Sequence, residues 1–216
     1  MTWGLRDGVS YCLVSGRAVF LDLTNDRYFC LHAEAERAFL AIAAGETAES
    51  ENLLRLSRQG VLTPDGARRA EPCPRPLEPR SSLLDEPPRS FDPWHVAMAF
   101  RQLGATRRVL RRHGLAATLD KLRGRRRPVG PDTARLAAKR VADAFSWTGI
   151  ASTTTDRCLI RSIAVMQRTL QTGGGADLIL GVKLEPFRAH CWVQDGEALI
   201  NDRPDVVRDF TPILVV

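Results

Sequence analysis

Seven of the thirteen prolines in this 216-residue chain fall between Glu71 and Pro93. Proline fixes its own φ angle and has no backbone N–H, so this density of prolines excludes a helix or a central strand and favours an extended, semi-rigid segment. We therefore predict a linker over residues 76–93. It separates a first domain, residues 1–75, from a second domain, residues 94–216, and both are of ordinary domain size.

Composition and charge narrow the class of protein. The net charge of the chain is +6 and is unevenly distributed. Residues 1–75 carry 9 basic and 10 acidic side chains, and residues 76–216 carry 22 basic and 15 acidic side chains. The five cysteines and four histidines lack C-x-x-C and H-x₃-H spacings, which disfavours a disulfide framework and a metal site. No apolar run approaches the roughly 18 residues of a membrane span, and no secretory pattern opens the chain. We expect a cytoplasmic protein without metal or membrane association.

The first domain is predicted to be a small α+β unit, three strands followed by two helices. Turn-forming residues separate three β-like runs, and apolar residues at helical spacing follow them. The predicted elements are strands at 9–14, 17–23 and 27–31 and helices at 33–44 and 47–59. Strands followed by helices in so short a domain indicate a winged-helix-like fold.

The second domain is predicted to begin with helices and end with strands, again an α+β class. Glycines at 104, 114 and 124 are expected to break its helices, and alternating apolar residues mark its strands. The predicted elements are helices at 94–103, 106–122, 132–146 and 158–171 and strands at 176–184, 189–194, 197–201 and 210–216.

Thiol chemistry needs a stabilised thiolate, an imidazole and a group that orients the imidazole, and three residues of this domain could supply them. Cys158 follows the polar run 153–157, so we expect it at a helix start, where unpaired N–H groups stabilise a thiolate. His190 lies on a predicted strand. We predict a three-residue loop at 194–196, with Gly196 in the left-handed conformation, which pairs residue 190 with residue 200 and puts Asp202 on the face of His190.

The same three residues also fit purely structural roles, because a Cys, a His and an Asp occur in almost any 60-residue window. Cys158 could be a small buried apolar residue, and His190 a hydrogen-bonded strand residue. Asp202 could form the turn before Arg203-Pro204. Spacing alone leaves both interpretations open.

Three blocks of the second domain, 158–164, 181–183 and 186–193, closely resemble the transglutaminase-like cysteine peptidases of lasso-peptide biosynthesis. These B proteins remove the leader from a ribosomally made precursor. The resemblance implies a papain-type α+β fold and a Cys158–His190–Asp202 triad that needs no cofactor. Cys191 departs from the family pattern, in which alanine is expected. We expect it to face away from His190 and to serve packing.

The first domain resembles the leader-recognition module that accompanies this peptidase, in the stretches 19–31 and 56–62. The resemblance implies that the leader adds as a strand to the edge strand 27–31, against the helix 53–58. The candidate leader-binding residues are Arg27, Tyr28, Phe29, Leu31, Leu53, Leu54 and Arg58. The expected partners are the precursor peptide and a separate lasso cyclase of asparagine-synthetase type.

Two other functions compete with leader removal. The same acyl-thioester could pass to an amine, as in a transglutaminase. Alternatively, a winged-helix regulator could bind nucleic acid through residues 101–127, which hold ten basic residues and one acidic residue. No aromatic side chains interleave with these charges and the first domain is near neutral, so we expect a solvated surface there and no nucleic-acid partner.

Overall fold

The computed structural model describes residues 3–87, 91–123, 131–148 and 156–216. The chain divides into two compact units, Met1–Pro74 and Arg75–Val216, and both mix helices with strands. None of the helices in the described ranges combines the length and the apolar character that crossing a bilayer requires.

The first unit has two small sheets and two helices. Its elements are β1 (Trp3–Leu5), β2 (Val9–Val14), β3 (Arg17–Asp22), β4 (Arg27–Cys30), α1 (Ala33–Ala43), α2 (Ser50–Arg58) and β5 (Leu62–Pro64). Strands β2, β3 and β4 form an antiparallel sheet in that order, as the alternating runs predicted, and β1 pairs with β5. Strands β1 and β5 were not predicted, because three residues are too few to show an alternation.

An aromatic cluster joins this sheet to α1. The ring of Phe39 lies edge-on to those of Tyr11 and Phe20, with centroids 4.9 Å apart in each case. Phe20 also stacks on Phe29 of β4, with centroids 5.1 Å apart. These contacts fix β4 at the open edge of the three-stranded sheet.

In the second unit three long helices precede four of the five strands of a single sheet, and this order of helices before strands is the one that the sequence predicted. Its elements are β6 (Ser81–Ser82), α3 (Pro93–Arg123), α4 (Pro131–Ser146), α5 (Asp156–Gln171), β7 (Asp177–Lys183), β8 (Arg188–Asp195), β9 (Ala198–Leu199), α6 (Pro204–Val207) and β10 (Thr211–Val215). The strand order is β10-β7-β8-β9-β6, and only the β6–β9 pair is parallel.

The structure differs from the predictions about this unit at Gly104 and adds a contact within the predicted linker. Gly104 does not end a helix, and α3 runs through it to a kink at Gly114, where φ is 74°. Gly124 lies outside the described residues. The predicted linker is not free along its length, because Ser81–Ser82 pairs with β9 and Leu83 N–H donates to the carbonyl of Leu199 at 2.8 Å. The segment between Pro79 and Pro87 has no proline, so its N–H groups can join a sheet edge.

Helix α5 is the central packing element of this unit. Its fully buried residues Ile163, Ala164 and Met166 lie within a helix that packs on β8, β7, α3 and α4. The helix is thus fixed against the strand that carries His190, and its first turn includes Cys158.

Candidate active site

Cys158 is the third residue of α5, and its side chain is half-buried. The first N–H groups of a helix have no partner within the helix and lie at its positive end, where they stabilise a negative charge. Helix α5 begins at Asp156, two residues before the predicted start, and Cys158 lies in its first turn, as the prediction of a cysteine at a helix start requires. The polar residues 153–155 that prompted the prediction lie outside the described part of the chain.

The structure brings Cys158, His190 and Asp202 together. The distance from His190 Nε2 to Asp202 Oδ2 is 2.5 Å, and the Cys158 side chain is also hydrogen-bonded to His190. The side chains of His190 and Asp202 are 19% and 14% exposed, so water screens their interaction only weakly. An imidazole therefore lies between a thiol and a carboxylate.

The charge state of His190 follows from these contacts. Burial lowers the pKa of His190, but the hydrogen bonds that its ring makes to Asp202 and Cys158, and the charges of both groups, outweigh burial and raise this pKa to about 9. The ring is protonated at neutral pH. It can therefore stabilise a thiolate and give a proton to a leaving group.

The route by which Asp202 reaches His190 differs from the prediction. Asp195 pairs with Ala198 and Gln194 with Leu199, so the hairpin loop is the two residues Gly196-Glu197 and not the predicted three. Gly196 does adopt the left-handed conformation, with φ at 58°. In this register Asp202 would lie opposite Cys191, on the wrong face of the sheet. Strand β9 ends at Leu199 instead, and the chain bends at residues 201–202.

Two aromatic side chains pack near the imidazole ring of His190. The ring centroids of Trp192 and Phe210 lie 6.2 Å and 5.1 Å from that of His190. Trp192 lies over Gly181, the residue paired with His190 across the sheet, and a Cβ at Gly181 would be 2.7 Å from the indole. A glycine at this position is therefore what lets the indole pack.

Cys191, the departure from the family pattern, is 3% exposed. Burial raises the pKa of its thiol, and the neighbouring charge of Cys158 raises it further. Cys191 is thus a neutral thiol inside the fold, whereas Cys158 is the cysteine in contact with the imidazole.

The profile of one protein family, the transglutaminase-like superfamily, matches residues 97–215, and so includes the site. The chain belongs to the transglutaminase-like superfamily. Transglutaminase-like domains carry cysteine peptidase or acyl-transferase activity, and this family assignment points to an enzyme of that type. Comparisons with curated proteins and with solved structures gave no match.

The candidate leader-binding residues lie in the other unit, and the structure brings only some of them together. Arg27, Phe29, Leu31 and Arg58 line one cavity of about 360 Å³, beside Cys30, His32 and Gln59. Tyr28, Leu53 and Leu54 do not line it. Side chains alternate along β4, which puts Tyr28 on the opposite face from Arg27 and Phe29. Leu53 packs against the core, and Leu54 is 51% exposed on α2.

Sequence analysis missed several polar residues of both sites. Gln59 carries a buried Oε1 atom without a hydrogen bond, next to the cavity. Ser162 lies one helical turn after Cys158, and Asn201 immediately precedes Asp202. The side chains of Ser162 and Asn201 are hydrogen-bonded to each other. A serine on the apolar face of α5 was the available signal. Within the described ranges, no three His, Cys, Asp or Glu side chains are close enough to hold a metal.

Proposed function

We propose that this protein is a cysteine peptidase that removes the leader from a ribosomally made lasso-peptide precursor in the cytoplasm. The observation that supports this function most is the position of His190 between Cys158 and Asp202 in a transglutaminase-like domain. The freed core would pass to a partner cyclase of asparagine-synthetase type. That partner follows from the resemblance of the sequence to the B proteins.

In this proposal, Cys158 and His190 act as a thiolate–imidazolium pair. The carboxylate of Asp202 is hydrogen-bonded to Nε2 of the His190 ring, so Nδ1 is the nitrogen that exchanges a proton with the thiol. The thiolate attacks the carbonyl carbon at the leader–core junction, and the N–H groups in the first turn of α5 stabilise the oxyanion. The C–N bond breaks, the imidazolium protonates the departing amine of the core, and the leader remains as a thioester on Cys158.

A second half-reaction completes the cycle. Neutral His190 takes a proton from water, and the hydroxide attacks the thioester carbonyl. The C–S bond breaks, the leader leaves as a carboxylic acid, and the thiolate–imidazolium pair is restored. If an amine enters in place of water, the same thioester gives acyl transfer, so the two activities differ only in the acceptor.

We propose that the first unit is a winged-helix-like module that holds the leader along β4. Strand β4 is an edge of its sheet, and such an edge can pair with an added peptide strand. Arg27, Phe29, Leu31 and Arg58 combine positive charge with apolar surface at this edge, and Gln59 has an acceptor oxygen without a partner in the structure. These features suit a peptide that supplies both backbone N–H groups and side-chain contacts.

The test is the conversion of a precursor encoded by a short gene beside that of this chain, followed by mass spectrometry. Hydrolysis gives a leader acid and a core with a free amine, whereas transfer to an added amine gives a leader adduct. Cys158→Ala should abolish both products, and Cys73→Ala, a half-buried cysteine outside the site, should retain them. Cleavage by Cys158→Ala would exclude the proposed function.

A further inference from the structure

Helix α5, strand β8 and the bend after β9 contribute one residue each to the proposed active site, and one hydroxyl lies where they meet. Ser162 is fully buried on α5, four residues after Cys158. Its Oγ donates to the carbonyl of Cys191 at 2.6 Å and accepts from Asn201 Nδ2 at 2.8 Å. Cys191 is next to His190 and Asn201 is next to Asp202. Ser162 thus links the helix of the nucleophile to the immediate neighbours of the other two groups.

A serine within a helix ordinarily bonds its hydroxyl to the carbonyl four residues earlier. For Ser162 that carbonyl belongs to Cys158. The hydroxyl instead donates to Cys191 on the neighbouring strand. Its hydrogen bonds therefore join α5 to β8 and contribute nothing to the helix itself.

Asn201 explains why the chain leaves the sheet before Asp202. Opposed residues of an antiparallel hydrogen-bonded pair exchange two N–H to carbonyl bonds. Ile200 N–H does donate to the carbonyl of Val193 at 2.9 Å, but Val193 N–H donates to Asn201 Oδ1 at 2.8 Å instead of to Ile200. The side chain of Asn201 thus takes the place of a backbone carbonyl and ends the ladder.

Two further bonds fix Asp202 after this bend. Ser82 Oγ, on the edge strand β6, donates to the backbone carbonyl of Asp202 at 2.6 Å. The backbone N–H of Arg203 donates to Asp202 Oδ1 at 2.9 Å, which leaves Oδ2 for His190. Each oxygen of the Asp202 carboxylate therefore has its own hydrogen-bond partner, and the two bonds fix the orientation of the carboxylate.

From these contacts we infer that Ser162 and Asn201 are positioning residues, which hold the Asp202 carboxylate on the imidazole of His190 and hold that imidazole beside Cys158. The inference rests on the proposed triad. Neither residue is assigned a contact with substrate, and each acts through its neighbour in the chain.

The test titrates the histidine rings of the full-length protein by NMR, with the His190 signal identified by its loss in His190→Ala. The wild-type ring should titrate near 9, and Ser162→Ala and Asn201→Ala should lower its pKa by about one unit, because the carboxylate is no longer fixed against it. Ser162→Thr retains the hydroxyl and should restore the wild-type value. Alkylation of Cys158 by iodoacetamide, followed by peptide mass spectrometry, should slow about tenfold at pH 7 in both alanine variants, because a pKa change of one unit is a tenfold change in the stability of the thiolate–imidazolium pair.

Thr169→Val is the matched control, since Thr169 is another buried hydroxyl on α5, and its Oγ1 has no hydrogen bond. It should leave the His190 titration unchanged. If Ser162→Ala does not fold, the less buried Asn201→Ala decides the test. An unchanged pKa in folded Asn201→Ala would overturn the inference. The titration uses no substrate, so it is independent of the proposed function. A lowered pKa in the alanine variants, together with no precursor cleavage by the wild-type protein, would refute the peptidase function alone.

Discussion

At the scale of single residues, His190 is the group on which the others converge. It touches the carboxylate of Asp202 and the thiol of Cys158, and two aromatic rings back it. Its protonated form is favoured by polar contacts that outweigh the cost of burial. The three polar residues therefore have unequal parts, and their removal should have unequal effects.

Cys158→Ala should abolish cleavage, because the substitution removes the nucleophile. His190→Ala should be nearly as severe, since the imidazole both accepts the thiol proton and protonates the leaving amine. Asp202→Ala should cost on the order of 10 to 10⁴-fold in kcat, because the carboxylate only orients and stabilises the imidazolium. Single-turnover cleavage of the precursor measures these losses. Equal losses in Asp202→Ala and Cys158→Ala would contradict the assigned roles.

The raised pKa of His190 also predicts how folding stability depends on pH. A histidine whose pKa rises on folding from 6.5 to about 9 stabilises the fold fully below pH 6.5. That contribution is lost as the pH rises through 9. Urea unfolding of the wild type and of Asp202→Asn should therefore differ most at pH 6, and the difference should shrink by pH 9.5. A difference that grows with pH would contradict the direction of the shift.

At the scale of elements, the sequence predicted more of the fold than of the site. Apolar periodicity located the long helices and strands, because each element is stabilised by one buried face. It did not predict the bend at Asn201, since the bend depends on a side chain that replaces a carbonyl of another strand. It also missed Ser81–Ser82, whose pairing partner lies more than a hundred residues away.

The packing of β7 against Trp192 gives a prediction at this scale. A Cβ at Gly181 would lie 2.7 Å from the indole and 3.0 Å from Phe210 Cβ, so Gly181→Ala should displace Trp192 and with it the ring of His190. We expect a lower melting temperature and a loss of cleavage, since overpacking costs about 1–3 kcal/mol. Thermal unfolding and precursor cleavage are the measurements.

Gly104 provides the control for that substitution. It lies within α3 and a Cβ there would meet nothing within 4 Å. Gly104→Ala should therefore stabilise the protein by up to about 1 kcal/mol, because alanine favours a helix interior more than glycine does. Similar destabilisation by both substitutions would show that the indole contact is not the cause.

At the scale of the whole molecule, the proposal assigns binding to one unit and chemistry to the other. The first unit contributes a charge of −2 and the second +8, yet the cavity beside β4 carries the exposed cations Arg27 and Arg58. Binding and chemistry should therefore respond to separate substitutions. This separation distinguishes a recognition module from a domain that merely stabilises the peptidase.

Charged substitutions at two candidate leader-binding residues, one at the cavity and one on the exposed face of α2, test this separation in the full-length chain. In a Cys158→Ala background, Arg58→Glu and Leu54→Glu should weaken binding of a fluorescent leader about tenfold, or roughly 1.4 kcal/mol each, as measured by anisotropy. In the active background, the single-turnover rate at saturating precursor should stay unchanged, because neither residue lies in the unit that carries the triad. Arg101→Glu reverses an exposed charge on α3 and should alter neither quantity. Unchanged leader affinity in both variants, or an equal loss in Arg101→Glu, would show that the leader does not bind along β4.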